Sequence, residues 1–183
     1  LWPPTATLAA PMELETGAQV DPLLLARALN LEPKHIVTAT HAPLSVSTGY
    51  PFLMVELDSP TALATVNPLR EMIEEIGAAG APTDIYFYTW ERSARQVVAR
   101  MFAPLDEIPE DPATGSAAVA LTALLAQLSP APDLQLELTI SQGVTMGRPS
   151  TLRTTAHKSS GHLLRATVGG EACIMTRGLL RLP

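Results

Sequence analysis

Residues 117–128 read AAVALTALLAQL, apolar on nearly every helical face and interrupted only by Thr122 and Gln127. A helix with no polar side has nowhere to meet water and must be buried all round. The run is shorter than the roughly 20 apolar residues that cross a bilayer, so protein has to cover it. Most other candidate elements are short strands. One greasy helix among many strands implies a sheet wrapped around that helix, with the helix start emerging at an open end of the sheet.

The strands and lesser helices follow from local pattern. Asp21 and Pro22 open a helix whose body is 23–29 and whose end suits Asn30. The β-branched run 35–40 predicts a strand, 45–51 a small-residue loop and 52–57 an apolar strand. A helical stretch begins at Ser59, breaks at Asn67-Pro68, resumes to Ile76 and stops in 77–82. Segments 84–90 and 96–102 predict paired strands around a polar turn. Further strands are expected at 134–140, which alternates cleanly, and at 150–156, 162–168, 172–176 and 179–182, with Gly169-Gly170 as a tight turn.

Bulk properties narrow the function. The chain has 183 residues, 46% of them hydrophobic, enough for one domain with a real core. Its net charge of −6, two lysines and ten scattered arginines leave no basic stripe for nucleic acid. Aromatic content of 4% is too sparse for base stacking. The single cysteine, Cys173, excludes an intrachain disulfide or cysteine-cluster metal site. Its apolar setting reads as a buried thiol in a cytoplasmic protein. His35, His41, His157 and His162 share no metal-ligand spacing, and no membrane segment or signal peptide is read.

The chemistry-bearing stretch is Glu110-Asp111-Pro112-Ala113-Thr114-Gly115-Ser116-Ala117-Ala118. Asp111 and Pro112 fit a capped helix start. Asp21-Pro22, Ser59-Pro60 and Asn67-Pro68 look like similar starts, so capping alone would explain the aspartate. Gly115 is different: a first-turn glycine costs about 1 kcal/mol against alanine, which asks for close approach of a ligand or a neighbouring backbone. Free backbone N–H groups and the positive helix end would welcome an anion there. Ser116 is not set in a nucleophile elbow, so hydrolase chemistry is not expected.

These residues resemble the PhzF-like phenazine biosynthesis proteins, which share a fold with diaminopimelate epimerase and proline racemase. Phe102-Ala103-Pro104 leading to the 110–117 stretch carries the resemblance, with Ser47-Thr48-Gly49-Tyr50-Pro51, Gln142-Gly143 and Met146-Gly147-Arg148-Pro149-Ser150 in the same order. The resemblance implies an α/β (α+β) epimerase-like domain, a strongly curved, mostly antiparallel sheet around one central apolar helix with smaller peripheral helices. It implies residues 1–10 as an interdomain strand or connector and 11–183 as the C-terminal domain. The family's N-terminal domain carries the acid/base glutamate and is not seen here. It would come from the same polypeptide or a second chain.

By the same resemblance the activity is a cofactor-independent isomerase. It moves a proton on a small carboxylated unsaturated substrate like trans-2,3-dihydro-3-hydroxyanthranilate. Asp111 is the implied catalytic aspartate. Gly115 and Ser116 would bind substrate, Ser47 and Thr48 would line the opposite wall, and no metal or other cofactor is implied. A homodimer is a possible assembly, with neither nucleic acid nor membrane as partner. Paired-thiol racemisation is disfavoured because the helix-start motif holds no cysteine. The alternative is a non-catalytic small-molecule-binding or interaction module of the same fold.

Overall fold

The computed structural model describes residues 4–174, 176–179 and 181. Around them runs one ten-stranded sheet. Its first half comprises β1 (Thr5–Ala9), β2 (Glu15–Gln19), β3 (Leu44–Ser47), β4 (Pro51–Glu56) and β5 (Ile85–Glu91). The second half is β6 (Gln96–Ala103), β7 (Ile108–Asp111), β8 (Leu134–Gln142), β9 (Ser150–Ser159) and β10 (His162–Glu171). The order is β1-β10-β9-β8-β6-β5-β4-β3-β2, with β7 pairing the far end of β6. Only β4/β5 and β6/β8 are parallel, so the sheet is mostly antiparallel as expected. The helices are α1 (Pro22–Ala28), α2 (Pro60–Thr65), α3 (Arg70–Ala78) and α4 (Gly115–Leu128).

Helix α4 is the central rod. Every residue from Ala117 to Ala126 is buried, which bears out the all-round burial read from its composition. Leu121, Leu124 and Leu125 pack on Tyr86, Tyr88, Leu138 and Ile140 of the sheet, while Val119, Ala123 and Ala126 meet Ala156 and Ala166. Thr122, fully buried, hydrogen-bonds the Ala118 carbonyl at 2.9 Å and Thr154 Oγ1 at 2.6 Å, so the one polar intrusion is satisfied.

The middle of the sheet is covered on both faces. Phe52 and Met54 of β4 and Tyr86 and Tyr88 of β5 look toward α4, whereas Leu53, Val55, Ile85 and Phe87 look toward α1, α2 and α3. Two buried faces explain why these strands read as continuous apolar runs rather than alternations. Asp21 caps α1 by accepting Leu23 N–H at 2.8 Å, and Ser59 caps α2 by accepting Ala62 N–H at 3.2 Å.

Several local expectations are corrected. The β-branched run 35–40 is a 3₁₀ turn at Pro33–His35 followed by a single bridge from Ile36 to Leu57. The edge of β4 beside it is already filled by β3. Part of the expected 45–51 loop is itself β3, where Leu44 and Val46 point inward and Ser45 and Ser47 outward. Strand β2 escaped the sequence pattern because all five of its residues are exposed. Gly169-Gly170 lies inside β10, not in a turn: a Cβ on Gly169 would sit 2.7 Å from the Ala6 carbonyl of β1. Of the expected strands at 172–176 and 179–182, the described residues hold neither; Met175, Leu180 and Leu182 lie outside the described residues. Cys173, beyond β10, is exposed rather than buried.

Candidate active site

The start of α4 is built differently from the cap-and-proline pattern. Asp111 ends β7, paired to Met101 of β6, and the helix begins four residues later with Thr114 as its cap residue. Asp111 does not cap backbone N–H groups. Its Oδ2 instead accepts the Thr114 hydroxyl at 2.6 Å, closing residues 111–114 into a turn that stands at the mouth of the sheet.

That turn is fastened from below by Gln142, the last residue of β8, which is fully buried. Its Nε2 donates to the Asp111 carbonyl at 2.7 Å and to Thr114 Oγ1 at 2.8 Å. Its Oε1 accepts the Thr114 N–H at 3.2 Å and the Tyr86 hydroxyl at 3.2 Å. Burial, and then the charge of Asp111, push the Tyr86 hydroxyl far above its ordinary value, so it stays a donor. Gly143 follows in the left-handed region with φ 74°, where a Cβ would run into the carbonyl oxygens of Arg148 and Pro112.

From the side the turn is held by Glu110, whose carboxylate grips Arg100 and accepts the Thr145 hydroxyl at 3.1 Å. Arg100 also donates to the carbonyls of Leu63, Ala64 and Val66 at the end of α2 and lies 4.7 Å over the Phe102 ring.

In front of the turn is a depression of about 620 Å³, lined among others by Ala113, Gly115, Ser150, Arg153, Val168 and Glu171. A Cβ on Gly115 would meet nothing nearer than Val168 Cγ1 at 3.7 Å. Packing within the chain therefore does not demand glycine there, and the space it leaves faces the depression. Ser116, next in sequence, is exposed, and Asp111 is half-buried. The first N–H groups of a helix lack intrahelical acceptors, so a donor-rich helix start borders the opening through Ala113 and Gly115, with Asp111 two residues earlier in the chain.

The structure thus brings Asp111, Gly115 and Ser116 together on one turn. It places Ser47 and Thr48 elsewhere. Ser47 Oγ accepts Gly49 N–H at 3.0 Å, and buried Thr48 lines a second depression with Met12, Glu13 and Leu163, its carbonyl accepting Met12 N–H at 3.2 Å. Sequence reasoning gave no role to Thr114, Tyr86, Arg100 or Gln142. Gln142 stood out only as part of a glutamine-glycine pair, and nothing in linear order ties it to residues 28 positions earlier. Among the described residues no group of three or more His, Cys, Asp or Glu side chains could hold a metal ion. No helix of the described residues is long and apolar enough to cross a membrane.

Comparison with known proteins identifies the family and the fold. The family described as phenazine biosynthesis-like protein matches residues 9–178. An uncharacterized isomerase of Mesorhizobium japonicum is 30% identical over 180 residues, covering 96% of this chain and 58% of that protein. The trans-2,3-dihydro-3-hydroxyanthranilate isomerase of Pseudomonas chlororaphis is 30% identical over 130 residues, covering 71% of this chain and 44% of that protein. Among solved structures, a predicted epimerase of Pseudomonas aeruginosa aligns with a TM-score of 0.65 at 26% identity, over 94% of this chain and 59% of that one. A Bacillus anthracis phenazine biosynthesis protein of the PhzF family aligns with a TM-score of 0.76 at 18% identity, over 91% and 57%, and shows the shared fold. The chain spans about half the length of these relatives.

Proposed function

This chain belongs to the phenazine biosynthesis-like family, and from that premise we propose that it forms the substrate-holding lobe of a cofactor-independent isomerase. The reaction is a proton transfer between two carbons of a small, carboxylated, unsaturated ring, with the double bond shifting and no atom gained or lost. A substrate like trans-2,3-dihydro-3-hydroxyanthranilate suits the lobe, since it carries a carboxylate together with amino and hydroxyl donors.

In this reading Asp111 accepts a hydrogen bond from the substrate's amino or hydroxyl group. Gly115 and Ser116 offer backbone N–H and hydroxyl donors to its carboxylate or to the enol that develops as the proton leaves. The acid/base that carries the proton comes from a second lobe, in the same polypeptide or in another chain, because the turn here supplies an orienting carboxylate rather than a shuttle. Thr48 would serve from the second depression, which it lines, with Ser47 preceding it in the chain. The observation that supports the reading most directly is the open start of α4, where Ala113 and Gly115 line a depression of about 620 Å³ just after the Thr114-bonded Asp111 carboxylate in the chain.

The test is proton exchange and isomerisation of that substrate in deuterated water by a complete two-lobe protein carrying this chain. Asp111→Asn should lower turnover by about 100-fold. Unchanged turnover and binding in that variant would reduce Asp111 to a structural residue. Tight binding with no exchange in the parent protein would make the lobe a binding module.

A further inference from the structure

We infer that Gln142, acting through Thr114, is a positioning residue that keeps one oxygen of Asp111 occupied and presents the other to the ligand. The inference rests on the functional reading above and adds to it which groups fix the aspartate.

The direction of every bond in the network is determined. The Thr114 N–H can only donate, so the Gln142 amide atom 3.2 Å from it is the oxygen. The Tyr86 hydroxyl, which burial keeps protonated, donates to that same oxygen. The amide nitrogen therefore faces the other way, toward the Asp111 carbonyl and Thr114 Oγ1. A hydroxyl that accepts from an amide N–H has one proton left to give, and the acceptor in reach is Asp111 Oδ2 at 2.6 Å. A flipped amide would set oxygen against the Asp111 carbonyl and N–H against the Thr114 N–H, losing both backbone bonds.

The consequence falls on Asp111. The Thr114 hydroxyl occupies Oδ2, and among the described residues no hydrogen bond reaches Oδ1. The carboxylate is thus turned and anchored by one oxygen, with the second free to accept from an ammonium or hydroxyl donor. A merely structural threonine would hold the turn without fixing which carboxylate oxygen stays open.

The experiment begins with NMR of the 183-residue protein: the Thr114 hydroxyl proton should exchange slowly and show a cross-peak to Gln142 Hε2, and a fast-exchanging hydroxyl would overturn the inference. In a complete two-lobe enzyme, Thr114→Val and Gln142→Glu should each raise KM by about 10-fold, and Thr114→Ser should restore it. A parent-like KM in a folded Thr114→Val, with turnover lost in Asp111→Asn, removes this inference alone. Full turnover in Asp111→Asn removes the functional reading instead.

Discussion

Arg100 and Glu110 form a two-pronged ion pair, Nε to Oε1 at 2.8 Å and Nη2 to Oε2 at 2.9 Å, with side-chain exposures of only 11% and 13%. Because three α2-end carbonyls share the same guanidinium, the pair ties the strand that delivers Asp111 to the outer helical layer. Removing one member leaves the other charge nearly buried and alone. Arg100→Met should cost about 3 kcal/mol in denaturant unfolding, and the double variant Arg100→Met/Glu110→Leu should recover part of that loss. Additive single and double losses would show that the two charges are not coupled.

Lys158 closes the opposite end of the central helix. Its Nζ, on a residue 4% exposed, donates to the carbonyls of Ala126, Gln127 and Ser129 at 3.3, 3.2 and 2.7 Å. A cation on the last carbonyls satisfies groups the helix leaves unpaired and meets the negative end of its dipole. Lys158→Met keeps the stem and removes the charge, and should destabilise the fold by roughly 2 kcal/mol. Calorimetry would register that as a drop of about 4–8 °C in Tm; an unchanged Tm would mean the cation is dispensable.

His41 makes stability depend on pH. Its Nδ1 faces the Ala42 carbonyl at 2.8 Å and must carry the proton, which leaves Nε2 to accept from Tyr88 Oη at 2.6 Å. Burial holds the imidazole below its ordinary value of 6.5, against the opposing pull of the Ala42 carbonyl and the Glu56 charge. The unfolded chain therefore takes up a proton that the folded one refuses. Stability is fully present above pH 6.5 and falls as pH drops from there toward the folded value. Tm measured from pH 7 to 5 should slope downward, and His41→Gln should flatten that slope. An equal slope in the variant would place the titrating group elsewhere.

Gly143 supports the aspartate turn from behind, with its φ of 74° and two carbonyls where a Cβ would go. Gly143→Ala should cost about 2 kcal/mol or more. It should also shift the amide resonances of residues 111–115, because the Pro112 backbone must move. Gly161, equally left-handed at φ 83° but with open space around its Cβ, is the control. Gly161→Ala should leave those resonances in place.

The reading from sequence succeeded where one residue pattern meets one environment. The helix over 115–128 is apolar on all sides because protein surrounds it on all sides, and alternation in 134–140 matches a strand with one wet face. It failed where pairing partners decide. Residues 35–40 have strand chemistry but join the sheet only at the Ile36–Leu57 bridge, while the exposed Glu15–Gln19 has no apolar signal yet pairs with β3. The site divides in the same way. Asp111, Gly115 and Ser116 were visible as a local cluster, but the glutamine that orients them comes from a strand reached only after the helix has run its full length. Asp111 itself looked like a cap, since an acid before a proline gives the same pattern whether it meets backbone or hydroxyl.

The small residues of α4 have an effect that reaches beyond their own positions. Ala117, Ala118, Ala120, Ala123 and Ala126 are all without solvent exposure, so single methyl groups set how tightly the strands can curl. Bulkier side chains there would hold the strands further out, and the width of the rim where Asp111 and Gly115 stand would grow with the bore. The calibre of that opening is gauged by alanines as far as three helical turns away from it.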